Sequence, residues 1–366
     1  MEAESTMSGL VQGDGGDRQI SNTASAVRFV LAILVVLIHV CLPRGETVTN
    51  YFEFGFWFCL MKLVVPLFFV LSAFFHYKKT AIDHFDLQAE KRYLAKLARL
   101  YCTWAVIYLP IMLWDIRGNG KGLAYNCLAI AKNFFFSGSC LHLWYLHATI
   151  ISVVLISVLL YFRASPKKII IIALAFCFAG LFASSWFGFI RPLEGTPVWD
   201  FLRLVKRIIA SSRNGLFIGF VFTGIGMLYA LYSIPITEKQ ARFGFLLSLL
   251  LMFVEAFTLK RLDFIRESEI YFFLVPAVFF LFAWIRYIKV PDSGIYRDLR
   301  MLSAIIYYIH WWVWRVVYKM LTLIGGPLTA TWVVFLVTLA ATVLLSMAIL
   351  KLSGKPGFKW MKKLYS

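Results

Sequence analysis

The chain has 366 residues, 61% of them hydrophobic and 17% aromatic, with a mean hydropathy of +0.77. No soluble domain needs that much apolar surface, so the composition excludes a globular cytosolic protein and specifies a polytopic membrane protein. The formal net charge of +18 does not indicate nucleic acid, because the basic residues sit between apolar runs, where orientation and contact with anionic membrane lipids explain them.

Residues 1–22 are polar, rich in Gly, Ser and Asp, and read as a disordered cytoplasmic tail. No small-residue cleavage site follows the first apolar run, which reads as a retained span rather than a signal peptide. Apolar runs long enough to cross a bilayer are expected at 24–43, 57–76, 98–114, 143–162, 168–187, 215–234, 243–260, 269–288, 302–321 and 329–351. Loop 77–97 carries Lys78, Lys79, Lys91, Arg92 and Lys96, whereas loop 44–56 has one basic residue and two acidic ones. That asymmetry places both termini in the cytoplasm. The expected fold class is all-α: a polytopic bundle of about ten transmembrane helices over 23–352, followed by a basic cytoplasmic tail at 353–366. Pro66 and Pro276 are expected to interrupt two of the spans.

Segment 188–214, placed outside by this topology, holds Arg191, Arg203, Lys206, Arg207 and Arg213; long loops are less bound by the charge rule. Two readings stay open. It presents a basic face to an anionic acceptor such as a phosphorylated lipid, or it is an amphipathic helix lying on headgroups. Trp199, Phe201, Leu202 and Val205, interleaved with the cations, fit the second. Gly118, Asn119 and Gly120 mark a turn in the other sizeable outer loop, 115–142. Cys127 and Cys140 share that loop, as a pair or as free thiols, and the six cysteines form no metal pattern. His142 and His147 are five residues apart, which turns their rings roughly 140° apart on a helix, so no metal is expected. His76 and His84 are expected to be solvated at the cytoplasmic interface; Glu255 and Lys62 are buried charges that pair or relay.

The stretch Val27 to Val40 reads V-R-F-V-L-A-I-L-V-V-L-I-H-V. Eleven steps of about 100° return to within roughly 20° of the start, so Arg28 and His39 share one helical face, roughly 16 Å apart along the axis. Ala32 and Val35 lie between them on that face and leave room for a groove. Ionisable residues inside a span are costly and mark a pathway or a site. The equal alternative is a positive-inside anchor at Arg28 and a headgroup cap at His39.

Four stretches, in order, resemble the acyltransferase 3 family of integral membrane acyltransferases. They are Arg28-x10-His39, V-P-L-F-F-V-L-S-A-F-F at 65–75, H-L-W-Y-L at 142–146 and L-S-A-I-I-Y-Y-I-H at 302–310. Two departures stand out: T-A-S-A-V at 23–27 where the family often has an acid, and Ala73 where Gly is usual. The resemblance implies transfer of an acyl group, most often acetyl, from cytoplasmic acetyl-CoA or another acyl-CoA to a hydroxyl of a cell-surface glycan or lipid-linked acceptor. On that expectation His39 is the base, its ordinary pKa of about 6.5 suiting it to accept and return a proton near neutrality. Arg28 orients the donor, and the stripe Lys91, Arg92, Lys96 and Arg99, with Ser72, completes the donor site; the alternative for the stripe is a positive-inside anchor. His142, Trp144, Tyr307 and His310 are the candidate acceptor residues. Trp311, Trp312 and Trp314 form an apolar wall or an interfacial belt, and Arg315 needs a cavity. An envelope acceptor implies a bacterial plasma membrane. The rival readings are a small-solute transporter, as a related module linked to amino-acid racemases is thought to be, and a non-catalytic assembly subunit. No pattern specifies an oligomeric state.

Overall fold

The structure, a computed structural model, describes residues 14–41, 50–78, 85–117, 120–140, 142–209, 211–325 and 331–366. Lys79, His84, Gly118 and Asn119 lie outside the described residues, as do residues 44–49 of the expected loop 44–56 and residues 1–13 of the expected tail. Among the described residues there is no strand. The helices are α1 (Asp14–Cys41), α2 (Tyr51–Phe58), α3 (Val64–Tyr77), α4 (Leu87–Asp115), α5 (Leu123–Phe136), α6 (Trp144–Tyr161) and α7 (Pro166–Ala183). There follow α8 (Phe187–Ile190), α9 (Pro197–Ile209), α10 (Phe220–Leu231), α11 (Glu238–Arg261), α12 (Leu274–Ile285), α13 (Ile295–Ile324) and α14 (Thr331–Ser353).

In hydrocarbon every backbone N–H and C=O must be satisfied internally, which is why apolar runs of this length become helices. Among the described residues, seven helical stretches are long and apolar enough to cross a membrane: Arg18–Cys41, Phe52–Tyr77, Leu87–Asp115, Trp144–Tyr161, Pro166–Ala183, Glu238–Arg261 and Thr331–Ser353. The other three expected spans differ. Residues 215–234 become the shorter apolar helix Gly215–Leu231, and 269–288 shrink to α12, 12 residues long. Run 302–321 lies inside α13, 30 residues long, whose polar His310 and Arg315 keep it out of the seven.

Local sequence sets the ends. Asp86 caps α4 by accepting from the Gln88 and Ala89 amides. Ser165 caps α7 with Pro166 at its first position, and Thr237 with Gln240 closes a capping box on α11. Pro66 and Pro276 do not break spans as expected: each is the third residue of its helix, where a missing N–H costs nothing. The expected loops 115–142 and 188–214 contain α5 and α9, and α9 has the amphipathic form proposed for an interfacial helix.

The chain divides into two compact units, residues 1–41 with 281–366, and residues 42–280. In the first unit α1, α13 and α14 pack on one another. Part of the expected disordered tail is helical, because tertiary contacts hold it. Arg18 pairs with Asp292 at 3.0 Å, and Asn22 donates to the same carboxylate at 3.0 Å. Gln19 donates to the Val290 carbonyl at 3.1 Å and Thr23 to the Ile288 carbonyl at 2.8 Å.

In the second unit α3 packs on α10 and α4 on α6. The α3–α10 approach depends on Gly226: a Cβ there would collide with the Val70 carbonyl oxygen and stand 2.7 Å from Ala73 Cβ. Backbone cannot retreat as a side chain can, so Gly226→Leu is expected to destabilise by about 3 kcal/mol or more. Gly224→Ala meets only the Ile170 side-chain end at 3.0 Å and is the near-neutral control. Thermal unfolding in detergent decides it; equal midpoints for the two variants would contradict this account. Before α10 the chain makes one π-helical turn, Gly215–Gly219, beside α6, where Ser152 Oγ donates to the Gly215 carbonyl at 3.0 Å.

Candidate functional site

Within the first unit, α1 and α13 bring two imidazoles together. The His39 and His310 rings stack with centroids 5.2 Å apart and planes inclined by 25°, and Trp311 meets His39 edge-on at 5.6 Å. His310 is fully buried, whereas His39 is half-buried. Nδ1 of His310 lies 2.8 Å from the Tyr307 carbonyl and 3.1 Å from the Ile306 carbonyl. Carbonyl oxygens only accept, so Nδ1 carries the proton, and in the neutral ring the lone pair stands on Nε2. Tyr307 therefore serves the pair through its backbone, and its ring lies 6.4 Å from that of His310. Arg28, two-thirds of the way back along the apolar part of α1, is half-buried. Arg315 places its guanidinium 5.9 Å from the Trp311 ring and 5.8 Å from that of Trp314, so the Trp cluster meets a cation as well as apolar neighbours.

The other expected site residues belong to the second unit. Ser72 shares a hydrogen bond of 2.9 Å with the Tyr145 hydroxyl. His142 is buried, its ring edge-on to Tyr108 at 4.6 Å. Trp144 is buried under the Arg213 guanidinium at 5.3 Å. Lys91, Arg92, Lys96 and Arg99 are all exposed on α4, and Arg92 faces Asp86 at 3.6 Å. His147 bonds the Phe135 carbonyl through Nε2 at 2.9 Å. Among the described residues no three His, Cys, Asp or Glu side chains cluster as a metal would require, and none of the six cysteines forms a disulfide.

One expectation is corrected here. His76 is not solvated: Nε2 bonds Glu90 Oε1 at 2.8 Å and its ring stacks on Tyr93 at 3.8 Å. Glu90, only 1% exposed, also accepts from Ser157 Oγ at 2.9 Å. The carboxylate sits between Ser and His, so this is not a nucleophile–base–acid array. Sequence reading passed over Glu90 because it stands in the basic run A-E-K-R. The signal was its register, since it precedes Leu97, Tyr101, Trp104 and Tyr108 on the buried stripe of α4. Of the two charges expected to pair or relay, Lys62 pairs and Glu255 is held by hydrogen bonds. Lys62 bonds Glu269 at 3.0 Å, while Glu255 accepts from the Trp186 indole and from the Phe272 and Phe273 amides.

A polar knot joins the loop before α12 to the segment after α9. Glu267 takes Lys206 at 2.9 Å and the Ser212 hydroxyl at 3.0 Å. Burial alone pushes the Glu267 carboxyl up, but the Lys206 ammonium and the Ser212 hydroxyl and amide outweigh it and hold it below the usual carboxylate range.

Among the described residues, an all-helical architecture with seven helices long and apolar enough to cross a bilayer marks a multi-pass membrane protein. The family described as "Acyltransferase domain" matches residues 24–351, and the chain belongs to this acyltransferase 3 family. It is similar to a "Serine/alanine racemase" of Enterococcus gallinarum, 26% identical over 77% of this chain and 39% of the relative. It is also similar to an "Amino-acid racemase" of Enterococcus faecalis, 29% identical over 70% of this chain and 34% of the relative. The chain thus spans well under half the length of these curated relatives. No solved structure matches it.

Proposed function

We propose that the protein moves an acyl group, acetyl first among candidates, from cytoplasmic acyl-CoA to a hydroxyl of a cell-envelope glycan or lipid-linked precursor. The observation that carries this is the His39–His310 stack in a chain of the acyltransferase 3 family. The acceptor hydroxyl attacks the thioester carbonyl while His39 takes its proton. The carbon–sulfur bond then breaks, and the departing thiolate of coenzyme A takes that proton from His39. His310 holds the neighbouring ring in place, and its own Nδ1 proton is committed to backbone carbonyls. Arg28 orients the donor; Ser72 and the α4 cations Lys91, Arg92, Lys96 and Arg99 complete its site, the cations meeting coenzyme A phosphates. His142 and Trp144 meet the acceptor. In the proposed topology the seven long helices, the two shorter apolar ones and α13 make ten crossings. Both termini then lie in the cytoplasm of a bacterial cell.

The test is purified protein in proteoliposomes, given radiolabelled acetyl-CoA and envelope extract. Label is expected in the glycan or lipid fraction, and no label from any acyl-CoA overturns the reading. Arg28→Ala is expected to raise the KM for donor about 10-fold or more, the loss of a charged hydrogen-bond donor, with little change in unfolding midpoint. Unchanged donor affinity in that variant would contradict the role given to Arg28.

One observation favours a second reading. Relatives that share most of this chain's length are named amino-acid racemases, which supports a solute-transport module supplying such an activity. Uptake of labelled serine or alanine into the same proteoliposomes, with no acyl transfer, decides for transport.

A further inference from the structure

Inside the second unit, between α7 and α9, lies a groove of about 890 Å³. Its walls are mostly apolar: Phe176, Ala179 and Phe182 from α7, and Leu216 and Phe217 from the π-helical turn. It is also lined by four cations, Lys132, Arg203, Lys206 and Arg266. All four come from segments between the long apolar helices, whereas Phe176 and Ala179 belong to the apolar body of α7. Phe176 lies seven residues, or about 10 Å, down α7 from its end at Ala183. The groove therefore runs from a basic mouth along an apolar face of α7 on which Phe176 and Ala179 are exposed. Two carboxylates meet the cations: Glu267 pairs with Lys206 at 2.9 Å, and Asp200 stands 3.9 Å from Arg203. Four cations against two carboxylates leave the mouth positive. The Arg266 guanidinium lies over Phe187 at 4.7 Å, which holds it at the rim.

Helix α9 fixes the depth of the mouth. It exposes Val198, Phe201 and Leu204 along one face and carries Arg203 and Lys206 on the other. A helix patterned so lies in the plane of the headgroups, apolar face down. We propose that this groove holds an anionic glycerophospholipid, one acyl chain along Phe176, Ala179 and Phe217 and its phosphate among the four cations. Inorganic phosphate would leave the apolar wall uncovered. A zwitterionic lipid forfeits part of the attraction that an excess of cations supplies.

The experiment reconstitutes the full chain in nanodiscs holding equal phosphatidylglycerol and phosphatidylcholine, then counts the lipid that stays with the protein by native mass spectrometry. Wild type is expected to retain phosphatidylglycerol in clear preference. Arg203→Gln and Arg266→Gln are each expected to lower that retention about 5-fold, the value of one cation near an anionic headgroup. Ala179→Phe, which fills an open wall without altering charge, is expected to lower retention of both lipids, and it decides the matter if the charge variants fail to fold. Equal retention of the two lipids, or unchanged phosphatidylglycerol in Ala179→Phe, overturns the proposal. Displacement by inorganic phosphate or by a polyprenyl phosphate also overturns it, in favour of a free-anion or carrier site respectively.

Discussion

A His39→Ala protein is expected to transfer acyl label about 100- to 10,000-fold more slowly than wild type, the range that a positioned general base supplies. Its unfolding temperature is expected to move little. His39 is half-buried, and truncation removes among its contacts the rings of His310 and Trp311, worth about 1 kcal/mol. A pH profile separates the base from its neighbour. His310→Phe keeps a ring against His39 but gives up the Nδ1 bonds to the Ile306 and Tyr307 carbonyls. It should transfer more slowly yet keep the acid limb of kcat/KM, whereas the residual activity of His39→Ala should lack that limb. If the limb disappears in His310→Phe and persists in His39→Ala, the assignment is reversed.

The second large effect concerns stability. Glu90→Ala removes the acceptor of both His76 and Ser157 from a site that is almost closed to solvent. Leaving two buried donors without a carboxylate costs about 3 kcal/mol, counting roughly 1–3 kcal/mol for each group stranded. Glu90→Gln keeps a carbonyl oxygen for one of them and should lose about half as much. The measurement is the thermal midpoint of each purified variant in one detergent. An Ala variant as stable as wild type would show that water replaces the carboxylate without cost.

The long helices were legible because aliphatic runs at 24–43, 143–162, 168–187 and 329–351 have one low-energy state in a membrane. The start of α1 was not, because nothing local marks residues 14–22 as helical. What orders them is Asp292 and the Ile288 and Val290 carbonyls, distant in sequence. Helix α5 was hidden for another reason, being too short to read as a crossing, whereas α9 was legible as one of two open readings through its interleaved cations and apolar residues. At the site, Arg28 and His39 announced themselves as ionisable residues in an apolar run. His310 was found only through its motif, and its stacking on His39 is a long-range fact that no periodicity encodes. The His76–Glu90 pair failed for the opposite reason, since a basic neighbourhood disguised a core position.

The first unit joins residues 1–41 to residues 281–366, so all of residues 42–280 is synthesised between its two halves. The opening helix must enter the bilayer and wait there while everything up to residue 280 is synthesised, at a closure cost that grows only slowly with the length of the intervening chain. A product stopped anywhere before residue 310 contains His39 without its partner imidazole. On the proposed function, such a chain is expected to lack acyl-transfer activity, because the paired imidazoles would be incomplete.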